Sequence, residues 1–450
     1  MNRPIEEVMF YHIYPLGFTG APAENDANIQ LTNRLSKVGE WVPHLKEMNI
    51  NALYIGPIFE STSHGYDTKD YYKIDKRLGT NEDFKELCKE LHESDIDVVL
   101  DAVFNHVGRE FEPFLDLREK RENSYYRNWF TNVNFSGNNS YGDNFSYESW
   151  HGCYNLVKLN LRNPEVKNYI FKVIEFWIKE FDIDGLRLDA ADCMDFEFLK
   201  ELSRFTKSLK KDFWLVGEVI HGDYNRWANK DSIDSVTNYE CYKGLYSSHN
   251  DKNYFEIAYS FNRQSGNGGI YKNLNLYNFV DNHDVNRLAS TVIKEEYLKN
   301  IYTLLYTMPG IPSIYYGSEY GIKAVKGKGT DAPLRPCLEL GAIEDANADL
   351  FEHIKKIAEV RANSKALCYG DYKQVVVKNQ QFVFERVSEG EDIYIALNLE
   401  DKESVLEFKI ATKGNFAENL IEDEEFTIEN QSLKIKLEPF SSKILRIASI

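Results

Sequence analysis

The segment GLRLDAAD (185–192) sets Arg187 and Asp189 two residues apart inside an otherwise apolar run. Alternate residues of a strand share a face, so both side chains point the same way. Burying an ionised group is costly unless it is paired or used. The pattern recurs: VVLD ends on Asp101, LVGE on Glu218 and FVDNHD on Asp284, with His106 and His283 close by. Any one of these acids could simply cap the helix that follows it. The set is harder to dismiss, because like charges gathered in one concavity raise each other's pKa, a cost tolerated mainly where chemistry uses it. No phosphate-binding loop, strand-end lysine or nucleophile elbow accompanies them, and paired carboxylates then point to glycosidic cleavage. In the retaining version one carboxylate attacks the anomeric carbon while a second, kept protonated, gives its proton to the departing oxygen. A guanidinium two residues before the attacking acid would orient it and keep it ionised. Two other readings stay open: acids gathered around a divalent metal, and a non-catalytic sugar-binding or interaction protein on the same scaffold.

Such convergence needs a frame that brings distant strand ends together. Apolar runs recur at 8–16, 50–59, 96–104, 184–190, 213–219, 277–284 and 312–319, and 235–242 is a weaker eighth. Runs without polar alternation suit parallel strands covered on both faces. Helical patterns lie between them, such as 163–181, with Asn163 as N-cap and Pro164 at the first helical position. The alternation predicts an α/β fold, and because no GxGxxG follows the first strand, a (β/α)8 TIM barrel is favoured over an open sheet. The strand ends would then share one mouth.

Two stretches break the rhythm. Residues 107–155 lack periodicity, and ten of the thirty residues from Tyr125 to Tyr154 are Tyr, Phe or Trp. This inserted subdomain after strand 3 reads equally as a small core of its own or as a cleft wall for stacking on a ligand. From residue 369 short alternating runs predict a C-terminal all-β sandwich. The expected organisation is barrel over 1–106, insertion over 107–155, barrel over 156–368 and sandwich over 369–450.

With 53 basic and 71 acidic residues the net charge is −18, which disfavours nucleic acid and anionic membrane as partners. The six cysteines are widely spaced and read as reduced thiols. The N-terminus lacks the apolar core of a signal peptide, so a cytoplasmic location is expected.

On these residues the chain resembles the α-amylase family of glycoside hydrolases over nearly its whole length. DVVLDAVFNHV (97–107), GLRLDAAD, WLVGEV (214–219) and FVDNHD (279–284) are similar to the family's four conserved regions, in order. The resemblance implies Asp189 as nucleophile, Glu218 as acid/base and Asp284 as a third carboxylate that grips sugar hydroxyls and distorts the ring. It implies that Arg187 holds Asp189, that His106 and His283 bond sugar hydroxyls, and that Tyr66, in HGYDTKDYY (64–72), stacks on the sugar. Asp101 and Asn105 fall on positions of a more structural kind. LVKLN (156–160) is similar to the neopullulanase and cyclomaltodextrinase branch, although the extra N-terminal domain common there is missing from a chain whose first strand starts near residue 8. Asn160 and Cys193 stand where calcium-binding relatives carry Asp and His, so no calcium is expected at that site and no cofactor is implied, while the Asn- and Asp-rich insertion leaves room for a calcium of its own. Asp192 replaces a frequent Lys on the aglycone side. The implied activity is retaining hydrolysis of α-1,4 bonds in maltooligosaccharides, with cyclodextrin or pullulan cleavage, exo-α-glucosidase action or transglycosylation as alternatives.

Overall fold

In the computed structural model, residues 3–26, 28–343, 346–411 and 414–448 are described. Eight short strands build the barrel: β1 (Phe10–Ile13), β2 (Ala52–Ile55), β3 (Asp97–Ala102), β4 (Gly185–Leu188), β5 (Trp214–Gly217), β6 (Ser235–Val236), β7 (Tyr277–Asn278) and β8 (Ile311–Tyr315). They pair in parallel in the order β6-β5-β4-β3-β2-β1-β8-β7. A parallel bridge from Thr237 to Tyr277, with Asn238 N donating to Tyr277 O at 2.9 Å, joins the two ends and closes the cylinder. Closure leaves no sheet edge.

The sixth run departs from expectation. Only Ser235–Val236 is strand; Asn238 accepts from Cys241 N at 3.2 Å and starts the helix Tyr239–Asn250, so the second half of 235–242 is helical. The N-cap bond wins over strand propensity there. In the seventh run just Tyr277–Asn278 is strand, and the remainder leaves the ladder as the loop that carries His283 and Asp284.

Period-2 alternation sorts the strand side chains into two cores. Phe10, Ala52, Tyr54, Val99, Trp214, Val216 and Tyr277 fill the barrel interior. Their neighbours Tyr11, Leu53, Val98, Leu186 and Leu215 face the surrounding helices. Following the inward face toward the strand ends leads from Val99 to Asp101, from Gly185 to Arg187 and Asp189, and from Val216 to Glu218. The helix Pro164–Phe181 starts as read: Asn163 Oδ1 accepts from Glu165 N at 2.8 Å, Pro164 opens the first turn, and Val166, Ile170, Val173, Ile174 and Trp177 are buried.

The insertion has its own three-stranded sheet, in which His106–Gly108 pairs with Cys153–Lys158, and that strand with Ser149–Trp150. Its strands therefore straddle the sequence-based boundaries at 106 and 155. After the helix Ala348–Ala362, strands from Asp371 to Ala448 form an antiparallel β-sandwich. Val383, Tyr394, Leu406, Phe408, Leu433 and Ile435 lie in the sandwich interior. Phe382 and Phe384 face the opposite way and meet Phe261 of the helix Tyr254–Ser265.

Candidate active site

Arg187 is the hub of the barrel mouth. Its Nη1 donates to Asp101 Oδ1 and Asp189 Oδ1, both at 2.9 Å, and its Nη2 pairs with Glu218 Oε1 at 2.9 Å. Strand register dictates this arrangement, since Arg187 lies opposite Asp101 on β3 and Val216 on β5. Side-chain exposure rises outward, from 5% for Arg187 through 11% for Asp189 and 12% for Glu218 to 34% for Asp284. The acids therefore line a funnel with the guanidinium at its floor.

Directly after Asp189 the chain turns sharply. Ala190 takes a left-handed conformation, φ 48° and ψ 42°, which costs a non-glycine residue about 1–2 kcal/mol. The turn aims Ala190 N at Glu218 Oε2, 3.0 Å away. Glu218 is thus held on one oxygen by Arg187 and on the other by the backbone beside Asp189.

Asp284 is fixed from the opposite side. Arg335 Nη2 donates to Asp284 Oδ1 at 2.9 Å, its Nε donates to His283 O at 3.1 Å, and its guanidinium lies 4.4 Å from the Tyr14 ring centroid. His283 Nε2 is 3.0 Å from Asp284 Oδ2 and 2.5 Å from Tyr66 Oη. Tyr66 Oη also donates to Asp101 Oδ2 at 2.9 Å, as does Tyr54 Oη at 2.7 Å. Asp101 is therefore the floor on which Arg187 and both tyrosines rest.

The acids differ in how readily they ionise. Burial raises Asp189 well above the carboxylate range, and the charges of Glu218, Asp101 and Asp284 add to this against the opposing pull of Arg187. Arg187 is the cation that opposes this rise, set against burial and three nearby carboxylates. Glu218 is raised too, by burial and by Asp284, again against Arg187. Two raised carboxylates on one guanidinium titrate as a pair, which favours a single shared proton. Asp284 goes the other way: burial would raise it, but His283 and then Arg335 hold it far below the carboxylate range.

All seven residues singled out from the sequence converge here. His106 is 1% exposed, its Nε2 lies 3.8 Å from Asp189 Oδ2 without a hydrogen-bond partner, and burial pushes its pKa down to about 3. A neutral imidazole with a free ring nitrogen can serve a hydroxyl. Tyr66 is 9% exposed and lies parallel to His283, with centroids 5.6 Å apart.

Four contributors escaped the sequence reading. Tyr54 could have been found, because it shares the inward face of β2 with Ala52. Arg335, on the loop after β8, and the backbone turn at Ala190 have no local signature. Trp150 is the fourth. Several aromatic residues of the insertion pack on one another, where Phe114 meets Phe130, Phe145 and Tyr147, and continue the core that backs the barrel. Trp150 instead sits 5.8 Å from the His106 ring. The two readings of the insertion thus divide residue by residue.

The residues do not fit a hard cation at the family's calcium position. Asn160 gives its amide to Asn128 O at 3.1 Å and accepts Arg162 N at 3.3 Å, while Cys193 offers only a thiol. That leaves Asn105 Oδ1, buried and unpartnered, where calcium wants six to eight oxygens. In the mouth, Arg187 already occupies the point between the acids that a metal would need.

Comparison with known proteins gives a consistent picture. Residues 12–337 match the model described as alpha amylase, catalytic domain, and residues 372–444 match maltogenic amylase, C-terminal domain. A maltogenic alpha-amylase of Bacillus acidopullulyticus is 32% identical over 97% of this chain and 77% of its own length. A cyclomaltodextrinase of Geobacillus thermopakistaniensis is 29% identical over 99% of this chain and 78% of its own. Among solved structures, a cyclomaltodextrinase superposes with a TM-score of 0.88 at 27% identity, covering 98% of this chain and 78% of that one.

Proposed function

This chain belongs to the α-amylase family of glycoside hydrolases, and from that premise we propose that Asp189 and Glu218 cleave α-1,4-glucosidic bonds of maltooligosaccharides with retention of configuration. The observation that carries this is the single Arg187 guanidinium holding both carboxylates at 2.9 Å, since retaining enzymes need their two acids only about 5–5.5 Å apart.

The chemistry runs in two steps. Asp189 attacks the anomeric carbon while Glu218 passes its proton to the glycosidic oxygen, so the C–O bond breaks, the shortened glucan leaves as an alcohol, and a glycosyl ester remains on Asp189. Glu218, now ionised, takes a proton from water as that water attacks the same carbon, which frees Asp189 and restores the proton to Glu218. Arg187 compensates charge on both acids throughout. Asp284, kept ionised by Arg335 and His283, accepts from hydroxyls of the sugar being cleaved; His106 and His283 bond further hydroxyls, and Tyr66 and Trp150 supply apolar surface. No metal takes part in this scheme.

Cyclodextrins and pullulan join linear maltooligosaccharides as proposed substrates, in keeping with the similarity to cyclomaltodextrinases and with Lys158 in LVKLN. A cytoplasmic location is proposed on the six cysteines, none of which forms a disulfide among the described residues. Among those residues no helix is long and apolar enough to cross a membrane.

Digestion of maltoheptaose followed by proton NMR tests the reading. The first product should appear as the α-anomer and mutarotate afterwards; a β-anomer formed first rules out the covalent scheme. Chromatography of maltotriose, cyclodextrin, pullulan and starch digests then ranks the substrates.

A further inference from the structure

We propose that a second α-glucan-binding surface, separate from the barrel mouth, runs along the exposed face of the helix Tyr254–Ser265 to the loop that follows Glu218; it rests on the α-glucan reading above. Phe255 and Tyr259 are 51% and 69% exposed and lie one turn apart on one face, about 6 Å along the axis. Neither has an aromatic partner among the described residues, so the pair forms a bare platform of the kind that stacks on the apolar face of a sugar ring.

Contacts connect the platform to the catalytic loop. Arg263, one turn beyond Tyr259, receives a bond on its carbonyl from Ile270 N at 2.9 Å, and Ile270 O accepts from Asn225 Nδ2 at 3.1 Å. Asp223 and Asn225 follow Glu218 by only five and seven residues. Together with Arg263 and the 44% exposed Ile270 they line a hollow of 510 Å³.

The chemistry of this track selects a neutral polyol. Asp223, Asn225 and Arg263 give the hollow one carboxylate, one amide and one guanidinium, and Arg263 is already neutralised by Glu240 at 2.5 Å. A chain of net charge −18 that keeps this strip balanced and aromatic is poorly suited to an ionic partner. The larger hollow at the base of the barrel makes the contrast: Arg3, Lys207, Lys211, Asp212 and Asp234 line it, and its only rings, Phe213 and Trp214, are buried.

Electrophoresis through gels containing soluble starch tests the proposal, with the double variant Phe255→Ala/Tyr259→Ala made in both the active enzyme and a Glu218→Gln background that spares the gel. The platform should account for about a tenfold loss of starch affinity in the Glu218→Gln background. Maltotriose, a probe of the barrel mouth, should be cleaved at the parental rate by the active double variant. Unchanged retardation, with maltotriose still cleaved, overturns the proposal alone. So does a parent that sediments as a dimer and a double variant that sediments as a monomer with starch affinity intact, since a second copy would then be the occupant. A parent that cleaves no α-glucan overturns the functional reading and this surface with it.

Discussion

Arg187 and Arg361 are both buried guanidiniums, at opposite ends of the same barrel, and they are satisfied in opposite ways. Arg187 at the mouth meets three carboxylates. Arg361 at the base meets only backbone carbonyls: Tyr306 O at 2.9 Å, Leu367 O at 3.1 Å and Gly310 O at 2.8 Å, with Glu6 O at 3.3 Å. Its neighbour Arg386 follows the same rule with Thr307 O at 2.6 Å and Gly370 O at 2.9 Å, and ties the sandwich to the barrel. Surrounding carboxylates raise Arg187 further against the cost of burial, whereas burial lowers Arg361 and, with Arg361 nearby, brings Arg386 to about 9. Neutral dipoles suffice to hold a chain in place. Excess negative charge around Arg187 serves no such purpose, and its cost fits the proton and glycosyl transfers proposed for the mouth.

The sharpest way to test this contrast is through rate. Glu218→Gln should lower release of reducing sugar from maltoheptaose by about 10^4-fold while the urea transition stays cooperative. Near-parental turnover would make the mouth as purely structural as the base. Next come the arginines themselves. Arg187→Met strands three buried carboxylates and should cost about 3–5 kcal/mol by urea denaturation at neutral pH, shrinking as acid neutralises them. Arg361→Met strands only carbonyls. It should cost about 1–3 kcal/mol, nearly independent of pH, with parental activity per folded molecule. Identical pH dependence of the two losses would erase the distinction.

A smaller effect sharpens it further. Because the folded-state pKa of Glu218 is raised, the folded protein binds that proton more tightly than the unfolded chain, and stability falls as pH rises from the unfolded value through the folded one. Glu218→Gln removes that loss. Its urea midpoint should match the parent's at pH below the carboxylate range and exceed it at neutral pH.

Mouth and base were not equally readable from the amino-acid order. Arg187, Asp189 and Glu218 could be read because strand alternation and apolar runs ending in acids are local signals. Barrel closure was partly readable, since seven of eight strands appear as apolar runs, while β6 was overstated by a stretch whose Asn238 starts a helix. Arg335 was out of reach. Its place depends on Arg287 holding Leu334 O at 3.0 Å and on Gly17, where any Cβ would come within 2.2 Å of Arg335 O. One contact spans 47 residues and the other more than 300, and no short window of sequence contains either. The same holds for Trp150, which composition could not separate from Phe145 or Tyr147.

A charged cluster at the base sets the smallest expectation. Asp184, just before β4, is met by His92 Nε2, Lys210 Nζ and Val98 N, each at 2.8 Å. Burial works against Asp184, but these partners hold it at about 2, while His92 is raised by its bond to that carboxylate. A raised histidine contributes stability below its ordinary value of about 6.5 and loses it as pH climbs through the raised one. His92→Asn should therefore cost about 0.5 kcal/mol in mildly acid urea titrations and nothing in alkaline ones. The two ends then leave different signatures under the same titration: Glu218→Gln starts level with the parent and finishes more stable, whereas His92→Asn starts less stable and finishes level. A His92 variant that outlasted the parent at high pH would mean that charge at the base is as strained as charge at the mouth, and the division between a structural end and a reactive end would fail.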